Sequence, residues 1–478
     1  MEPAPALITE YQITEGATLY SSSLGNILIG CPPEILKKLL SRHAPMPDTV
    51  VIPGTLQKFS SSQACLEFPF YHFLFIQQGL ARGKKFKVFA QKDVCEKLAD
   101  MLRVTLLGPD WDEVLQVEQR LGIPQRLNLK KVKQILAEVR FLALKAQDGH
   151  SYLCDELVTF IPLAIGETQV VYPAFEKHPE VQLSRTGLDQ FTLRCNRELT
   201  YQQEISSAQV PSYEIKGIQV ESLERESQKI FTLRCLGASE GFDASQPANG
   251  YLLRFQGKWF LWDCPAFLRS HLHAVGLEFS DLEGIFISHV HEDHLDIMQT
   301  LEPGHQVPIY TSPEIFHCML LKLSANLNCD YDQARAYYDF HPIYADEPFE
   351  LFGAQIEVFY SCHAIPALGL NLRVPNSEGE SRLFISGDHL AQRVIQQLAK
   401  AGVYSPERLQ ELETRLPPTE KYNLILVDSG AGMIHGDPTD YFKNPNQVLY
   451  MHTGKPIQNI PEHHGILKSG QCYLIHPG

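Results

Sequence analysis

The tightest constraint on this chain is a run of nine residues. The apolar segment Ile285-Phe286-Ile287 stops at Ser288-His289-Val290-His291-Glu292-Asp293-His294-Leu295-Asp296. Three histidines and an aspartate within six positions, just beyond a buried strand, form an awkward cluster unless neutral imidazoles and carboxylates face metal ions. The strand end divides the ligands. His289 and His291 alternate to one side, while Asp293 and His294 begin the next helix and point to a second centre.

The rest of the composition is that of an ordinary folded protein. At about 150 residues per domain, 478 residues make about three domains or two large ones. No uncharged apolar stretch approaches the roughly 20 residues of a membrane-spanning helix. The acidic opening Met1-Glu2-Pro3-Ala4-Pro5 lacks the basic flank of a signal peptide, and eleven scattered cysteines do not read as a disulfide framework. A soluble cytoplasmic protein with reduced thiols is therefore expected. A net charge of −15 makes nucleic acid an unfavoured partner, although a local basic patch could overcome it.

The first 203 residues alternate strand-like and helix-like segments and read as an α/β domain without catalytic residues. Strands are expected at Leu24–Ile29, Val50–Ile52 and Lys87–Ala90, with a helix from Asp93 to Leu102. Asn128 caps an amphipathic helix built on Val132, Ile135, Leu136, Val139 and Leu142. Its basic face, Lys130, Lys131, Lys133 and Arg140, reads as solvated surface. The polar stretch 204–228 is the expected linker, and a second domain runs over 229–478.

From Thr232 onward the sequence resembles the metallo-β-lactamase superfamily, whose signature is His-x-His-x-Asp-His after a buried strand. Phe260-Leu261-Trp262-Asp263-Cys264 resembles the strand and aspartate that precede the signature. Tyr360-Ser361-Cys362-His363 resembles the segment with the third histidine of the first metal site. Phe384-Ile385-Ser386-Gly387-Asp388 resembles the strand before the bridging carboxylate, and Gln447 to His452 the last ligand strand. The resemblance implies an αββα sandwich in which His289, His291 and His363 hold one divalent metal. Asp293, His294 and His452 would hold a second, with Asp388 between them. His464 is the main rival to His452. Zinc is favoured, and manganese or iron accepts the same ligands.

Such a pair of cations implies hydrolysis by a metal-activated water, without a nucleophilic side chain. Asp293 and Asp388 would orient that water. His435, after the glycine-rich turn Ser429-Gly430-Ala431-Gly432, is the candidate proton donor. A phosphodiester or other small-molecule substrate is favoured, because paired cations suit a doubly charged transition state. Lactone, ester or thioester hydrolysis on the same centre, or a di-iron redox or oxygen-sensing site, are the alternatives. Leu295-Asp296 after the signature resembles the branch of lactone hydrolases and phospholipase D-type enzymes, and His291 stands where flavodiiron proteins usually have glutamate. Oligomeric state is open, a homodimer being one plausible assembly.

Asn26 to Leu40 can also be laid beside Trp259 to Leu272. Ile29-Gly30-Cys31-Pro32 then falls against Trp262-Asp263-Cys264-Pro265, and Val50–Ile52 against Ile285–Ile287. The first domain is thus either a ligand-free copy of the second, similar to the arrangement in long-form RNase Z, or an unrelated α/β domain with the same grammar.

Overall fold

A computed structural model describes residues 8–58, 61–176, 178–195, 198–205, 231–430, 434–454 and 456–476. The stretch expected to be a linker, 204–228, lies outside these residues except for 204 and 205. The chain is mixed α/β and divides into two compact units that are not consecutive in sequence. One comprises 1–103, 152–213 and 321–331; the other comprises 104–151, 214–320 and 332–478.

The first unit holds a six-stranded sheet. Its strands lie side by side in the order Ile8–Thr14, Ala17–Ser22, Gly25–Ile29, Thr49–Val51, Phe86–Ala90 and Val158–Pro162. The first three pair antiparallel, and pairing is parallel from the third onward. An antiparallel four-stranded sheet, Thr168–Tyr172, Val181–Arg185, Gln190–Cys195 and Glu198–Glu204, supplies the other side of the core. There Ile29, Val51 and Phe89 meet Leu183, Phe191 and Leu193.

The second unit holds two seven-stranded sheets. One runs Asp339–Pro342, Pro308–Thr311, Leu282–Phe286, Lys258–Trp262, Gly250–Phe255, Phe231–Gly237, Cys472–His476. The other takes its strands in chain order: Phe349–Leu351, Ala354–Tyr360, Leu368–Asn376, Gly379–Ile385, Leu424–Asp428, Val448–Met451 and His464–Ile466. Leu424–Asp428 is buried along its whole length, as its unbroken apolar run requires of a central parallel strand. Phe260 stacks on Phe255 at 4.5 Å, and Phe286 on Tyr310 at 4.9 Å. Burying each such ring contributes about 2–3 kcal/mol and pins the strand whose end carries the histidines.

The amphipathic helix spans Leu129–Leu142, and Asn128 Oδ1 caps it by accepting from the Lys131 amide. Its basic face is engaged locally. Lys131 pairs with Asp346 and Glu411, and Lys133 lies 5.4 Å over the Trp111 ring. No helix of the described residues is long and apolar enough to cross a membrane.

Candidate metal centre

Strand ends of the second unit deliver the site. The carbonyl and amide ladder of Leu282–Phe286 stops at Ile287, and the next residues turn. His294 N bonds His291 O at 3.0 Å, and Leu295 makes a parallel bridge to Cys264. Asp293 and His294 therefore sit in a tight turn, and the expected helix does not form there. A short 3₁₀ turn begins only at Ile297, after Asp296 has capped it. The turn closes with the Leu295 amide on the His291 carbonyl at 2.8 Å, and the bridge of Leu295 to Cys264 stops it from continuing as a helix.

Three imidazole nitrogens converge. His291 Nδ1 lies 3.1 Å from His289 Nε2 and 3.1 Å from His363 Nε2. The opposite nitrogens are committed elsewhere. His291 Nε2 donates to the Thr105 carbonyl at 3.0 Å, His363 Nδ1 donates to the Ile434 carbonyl at 3.1 Å, and His289 Nδ1 contacts Ser288 Oγ at 2.9 Å. Carbonyls only accept, so they fix the protons on His291 Nε2 and His363 Nδ1 and leave lone pairs facing each other. Burial depresses the pKa of His289 well below the ordinary imidazole value and takes His363 to about 4. Facing lone pairs on neutral buried rings are the donor set a divalent cation requires.

A second group adjoins the first. His294 Nε2 is 3.1 Å from His452 Nε2 and 3.2 Å from Asp388 Oδ1, and Asp293 Oδ2 is 3.8 Å from His452 Nε2. Asp263 Oδ2 holds His294 Nδ1 at 2.7 Å, while its Oδ1 accepts from the Ser288 amide. Burial opposes charge on His294, yet Asp388 and Asp263 outweigh it and raise its pKa well above the usual value. The two carboxylates thus demand positive charge at this position. Asp388 Oδ1 and His452 Nδ1 are buried without a hydrogen bond, as expected of atoms shaped to face a cation. Asp388 Oδ2 lies 3.6 Å from His363 Nε2 and 3.7 Å from His452 Nδ1, so this carboxylate stands between the groups.

His435 occupies the more open side, its side chain 17% exposed against 0–2% for His289, His294, His363 and His452. Its Nδ1 sits 2.9 Å from Asp428 Oδ2. Burial works against charge here too, but Asp428 prevails, with help from Asp388 and Asp293, and lifts the ring's pKa to about 10. Of the glycine-rich turn before it, 431–433 lie outside the described residues.

All seven sequence-derived ligand candidates, and His435, are brought together. His464 is not: its Nδ1 contacts Tyr450 Oη at 2.8 Å and its Nε2 contacts the Asn444 carbonyl at 3.0 Å. Sequence reasoning overlooked Asp428, which joins Asp388, His435 and His452 in one cluster. Its signal was available, since Leu424-Ile425-Leu426-Val427 is an apolar strand ending in a carboxylate, as Phe260-Leu261-Trp262 is before Asp263. Asn249, 3.1 Å from His294 Nε2, and the Thr105 carbonyl carried no sequence signal.

The family described as anti-Pycsar protein Apyc1 matches residues 231–405. That stretch includes six of the seven ligand candidates, all but His452, each placed beyond a strand of the two seven-stranded sheets in the order the sequence resemblance implies. The chain has the metallo-β-lactamase fold. Among curated proteins, this metallo-β-lactamase-fold chain is 22% identical over 466 residues to the cAMP/cGMP-dependent 3′,5′-cAMP/cGMP phosphodiesterase B of Dictyostelium discoideum, covering 88% of the chain and 41% of that protein. It is 27% identical over 207 residues to the cGMP-dependent 3′,5′-cGMP phosphodiesterase A of the same organism, covering 43% of the chain and 23% of that protein. The chain thus spans less than half the length of either relative. The anti-Pycsar protein Apyc1 of Paenibacillus harenae is 25% identical over 186 residues, covering 36% of the chain and 73% of that protein. Among solved structures, yeast long-form RNase Z overlaps 96% of the chain and 72% of its own length, with a TM-score of 0.38 and 10% identity. The YhfI protein of Bacillus subtilis overlaps 52% of the chain and 99% of its own length, with a TM-score of 0.37 and 16% identity.

Proposed function

We propose that the chain is a metal-dependent phosphodiesterase acting on 3′,5′-cyclic nucleotides. The observation that carries this reading is the Asp388 carboxylate set between two groups of converging ligand atoms. His289, His291 and His363 would hold one divalent cation, and Asp293, His294 and His452 the other, with Asp388 shared. The nitrogen-rich donor set favours zinc, and manganese or iron fits the same ligands. Two such cations, when bound, lower the pKa of a shared water and offset negative charge on the phosphoryl oxygens. The relatives support this substrate class, two being named as cyclic-nucleotide phosphodiesterases and a third as an anti-Pycsar protein.

The chain's own residues then supply orientation and proton transfer. Asp293 and Asp388 accept from the attacking water and aim its oxygen at phosphorus. As the new P–O bond forms, one ester P–O bond of the ring breaks, and the departing alkoxide needs a proton. His435 supplies it. Asp428 keeps that ring protonated and fixes its tilt through the 2.9 Å contact to Nδ1.

The test is hydrolysis of 3′,5′-cAMP, 3′,5′-cGMP and bis(p-nitrophenyl) phosphate by the full chain loaded with zinc or manganese. Turnover of a cyclic nucleotide that is lost in His291→Ala is expected. A fully metallated chain that cleaves none of the three overturns the phosphodiester reading and brings lactones and thioesters forward.

A further inference from the structure

We propose that Thr105, Gly108 and Glu138 form a clamp that positions His291 and His363. In chain order these residues belong to the first half, far ahead of the ligands, yet 104–151 fall in the unit that carries the site. Three independent contacts make the clamp.

The first is the Thr105 carbonyl, which accepts from His291 Nε2 at 3.0 Å. It lies in the last turn of the helix Lys92–Leu107, where carbonyls lack helical partners and the helix end is electronegative. That carbonyl directs the His291 lone pair onto Nδ1, the nitrogen that meets His289 and His363. Second, Gly108 ends the same helix at φ +69°, against the loop that carries His363. A Cβ there would stand 2.9 Å from Pro366 Cδ. Third, Glu138 grips Arg408 through a forked pair, at 3.1 Å to Nε and 3.2 Å to a terminal nitrogen. The same guanidinium donates to the carbonyls of Tyr360 and Ser361, at 3.0 Å each. Those carbonyls come immediately before Cys362-His363, so the fork sets where the His363 loop leaves its strand. Glu138 and Arg408 are buried, with side chains 2% and 3% exposed.

One function of the first half of the sequence, on this view, is to aim two of the three ligands of one metal. The inference rests on the reading of His289, His291 and His363 as ligands, and its test separates the two. Cobalt(II) is titrated into the metal-free full chain in competition with a chelator, while the visible absorption of bound cobalt is recorded. Three variants are compared with wild type: Gly108→Ala, Gly122→Ala and Arg408→Lys. Gly108 and Gly122 have nearly equal left-handed φ, +69° and +70°, so alanine carries the same conformational cost at both. Only Gly108 has a neighbour within reach; a Cβ at Gly122 meets nothing within 4 Å. Lysine at 408 keeps the charge and loses the fork.

Gly108→Ala and Arg408→Lys should weaken one cobalt equivalent by about tenfold or more and alter its spectrum. Gly122→Ala should bind both equivalents as wild type does. A wild-type chain that binds no cobalt overturns the ligand reading itself. A wild type that binds two equivalents, with Gly108→Ala and Arg408→Lys unchanged in affinity and spectrum, overturns the clamp alone. Circular dichroism before titration identifies a variant that does not fold, and the other variant then decides.

Discussion

The sheet containing Gly25–Ile29 and the sheet containing Lys258–Trp262 repeat one plan and differ in what they carry. In both, three antiparallel strands lead into parallel ones. The hydrogen bonds beyond the strand ends also correspond. Gly30 N bonds Val51 O at 2.9 Å, and Asp263 N bonds Phe286 O at 2.8 Å. Ile52 N bonds Phe89 O, as Ile287 N bonds Tyr310 O. Cys31 bridges Ala64, as Cys264 bridges Leu295. The helices that follow, Ile35–Ser41 and Leu268–Ala274, each start from a residue with positive φ, Glu34 and Phe267. The backbone frame is thus indifferent to the chemistry at its rim. By this register Gly30 stands where Asp263 stands, and Gln63 where His294 stands. Asp263 holds a left-handed φ of 60° that a non-glycine residue adopts only at a cost, and it uses that conformation to fix His294. Gly30, at φ +82°, has no room for a side chain, since a Cβ would come 1.9 Å from the Gly16 carbonyl oxygen.

The largest effect expected is a contrast across that register. His294→Ala removes a proposed ligand and should lower cyclic-nucleotide turnover by at least about 10³-fold, roughly 4 kcal/mol in transition-state stabilisation. Gln63→Ala, at the corresponding place in the first unit, should leave turnover within about twofold and alter only the melting temperature. Equal losses in the two variants would break the comparison, because the first unit would then contribute to the chemistry directly.

The sequence made the frame and most of the site readable because both rest on local patterns. Strand runs such as Val50-Val51-Ile52 and Ile285-Phe286-Ile287 are apolar because they are buried on two faces, and the signature follows one of them directly. Asp388 and His452 were readable for the same reason, each lying just beyond an apolar strand. What stayed hidden came from long-range pairing. Asp428 becomes part of the site through His435 and the neighbouring strand ends, and Thr105 acts through a carbonyl that every residue possesses. Arg408 carried no sequence signal, although in the fold it is buried on Glu138 and two carbonyls. The first unit, among the described residues, lacks counterparts of Leu424–Asp428 and Val448–Met451. Asp428 and His452 lie at the ends of those two strands.

A smaller effect tests His435, for which the register offers no counterpart in the first unit. A proton donor matters in proportion to the basicity of the leaving group. His435→Asn should therefore slow cleavage of a cyclic nucleotide, which expels a sugar alkoxide, by about 10²-fold or more. It should slow bis(p-nitrophenyl) phosphate far less, because nitrophenolate departs without a proton. Metal content should match wild type. Equal slowing of both substrates would remove His435 from the donor role and leave it as a partner that orients Asp428.

The smallest effect separates the two units by their response to acid. In the second unit, burial holds His389 at a pKa of about 3, with Arg408 adding to the depression, and the Cys362 amide donates to its Nδ1. His363, at about 4, behaves alike. A histidine depressed from 6.5 binds its proton more readily when unfolded, so its contribution to stability is complete above pH 6.5 and is lost as pH falls toward the folded value. For His389 alone that loss is about 2 kcal/mol by pH 5. The first unit has one such ring among the described residues, the buried His72, and there burial raises Asp48 instead. A raised carboxyl acts in the opposite sense: its contribution is complete below its unfolded value and is lost as pH rises through the folded one. Acid should therefore loosen the second unit first. Hydrogen exchange on the chelated chain, corrected for intrinsic rates between pH 7 and pH 5, should show protection falling around Cys362–Leu390 before it falls at Thr49–Val51. His389→Gln should shrink that difference, and simultaneous loss in both regions would show that the two frames open as one.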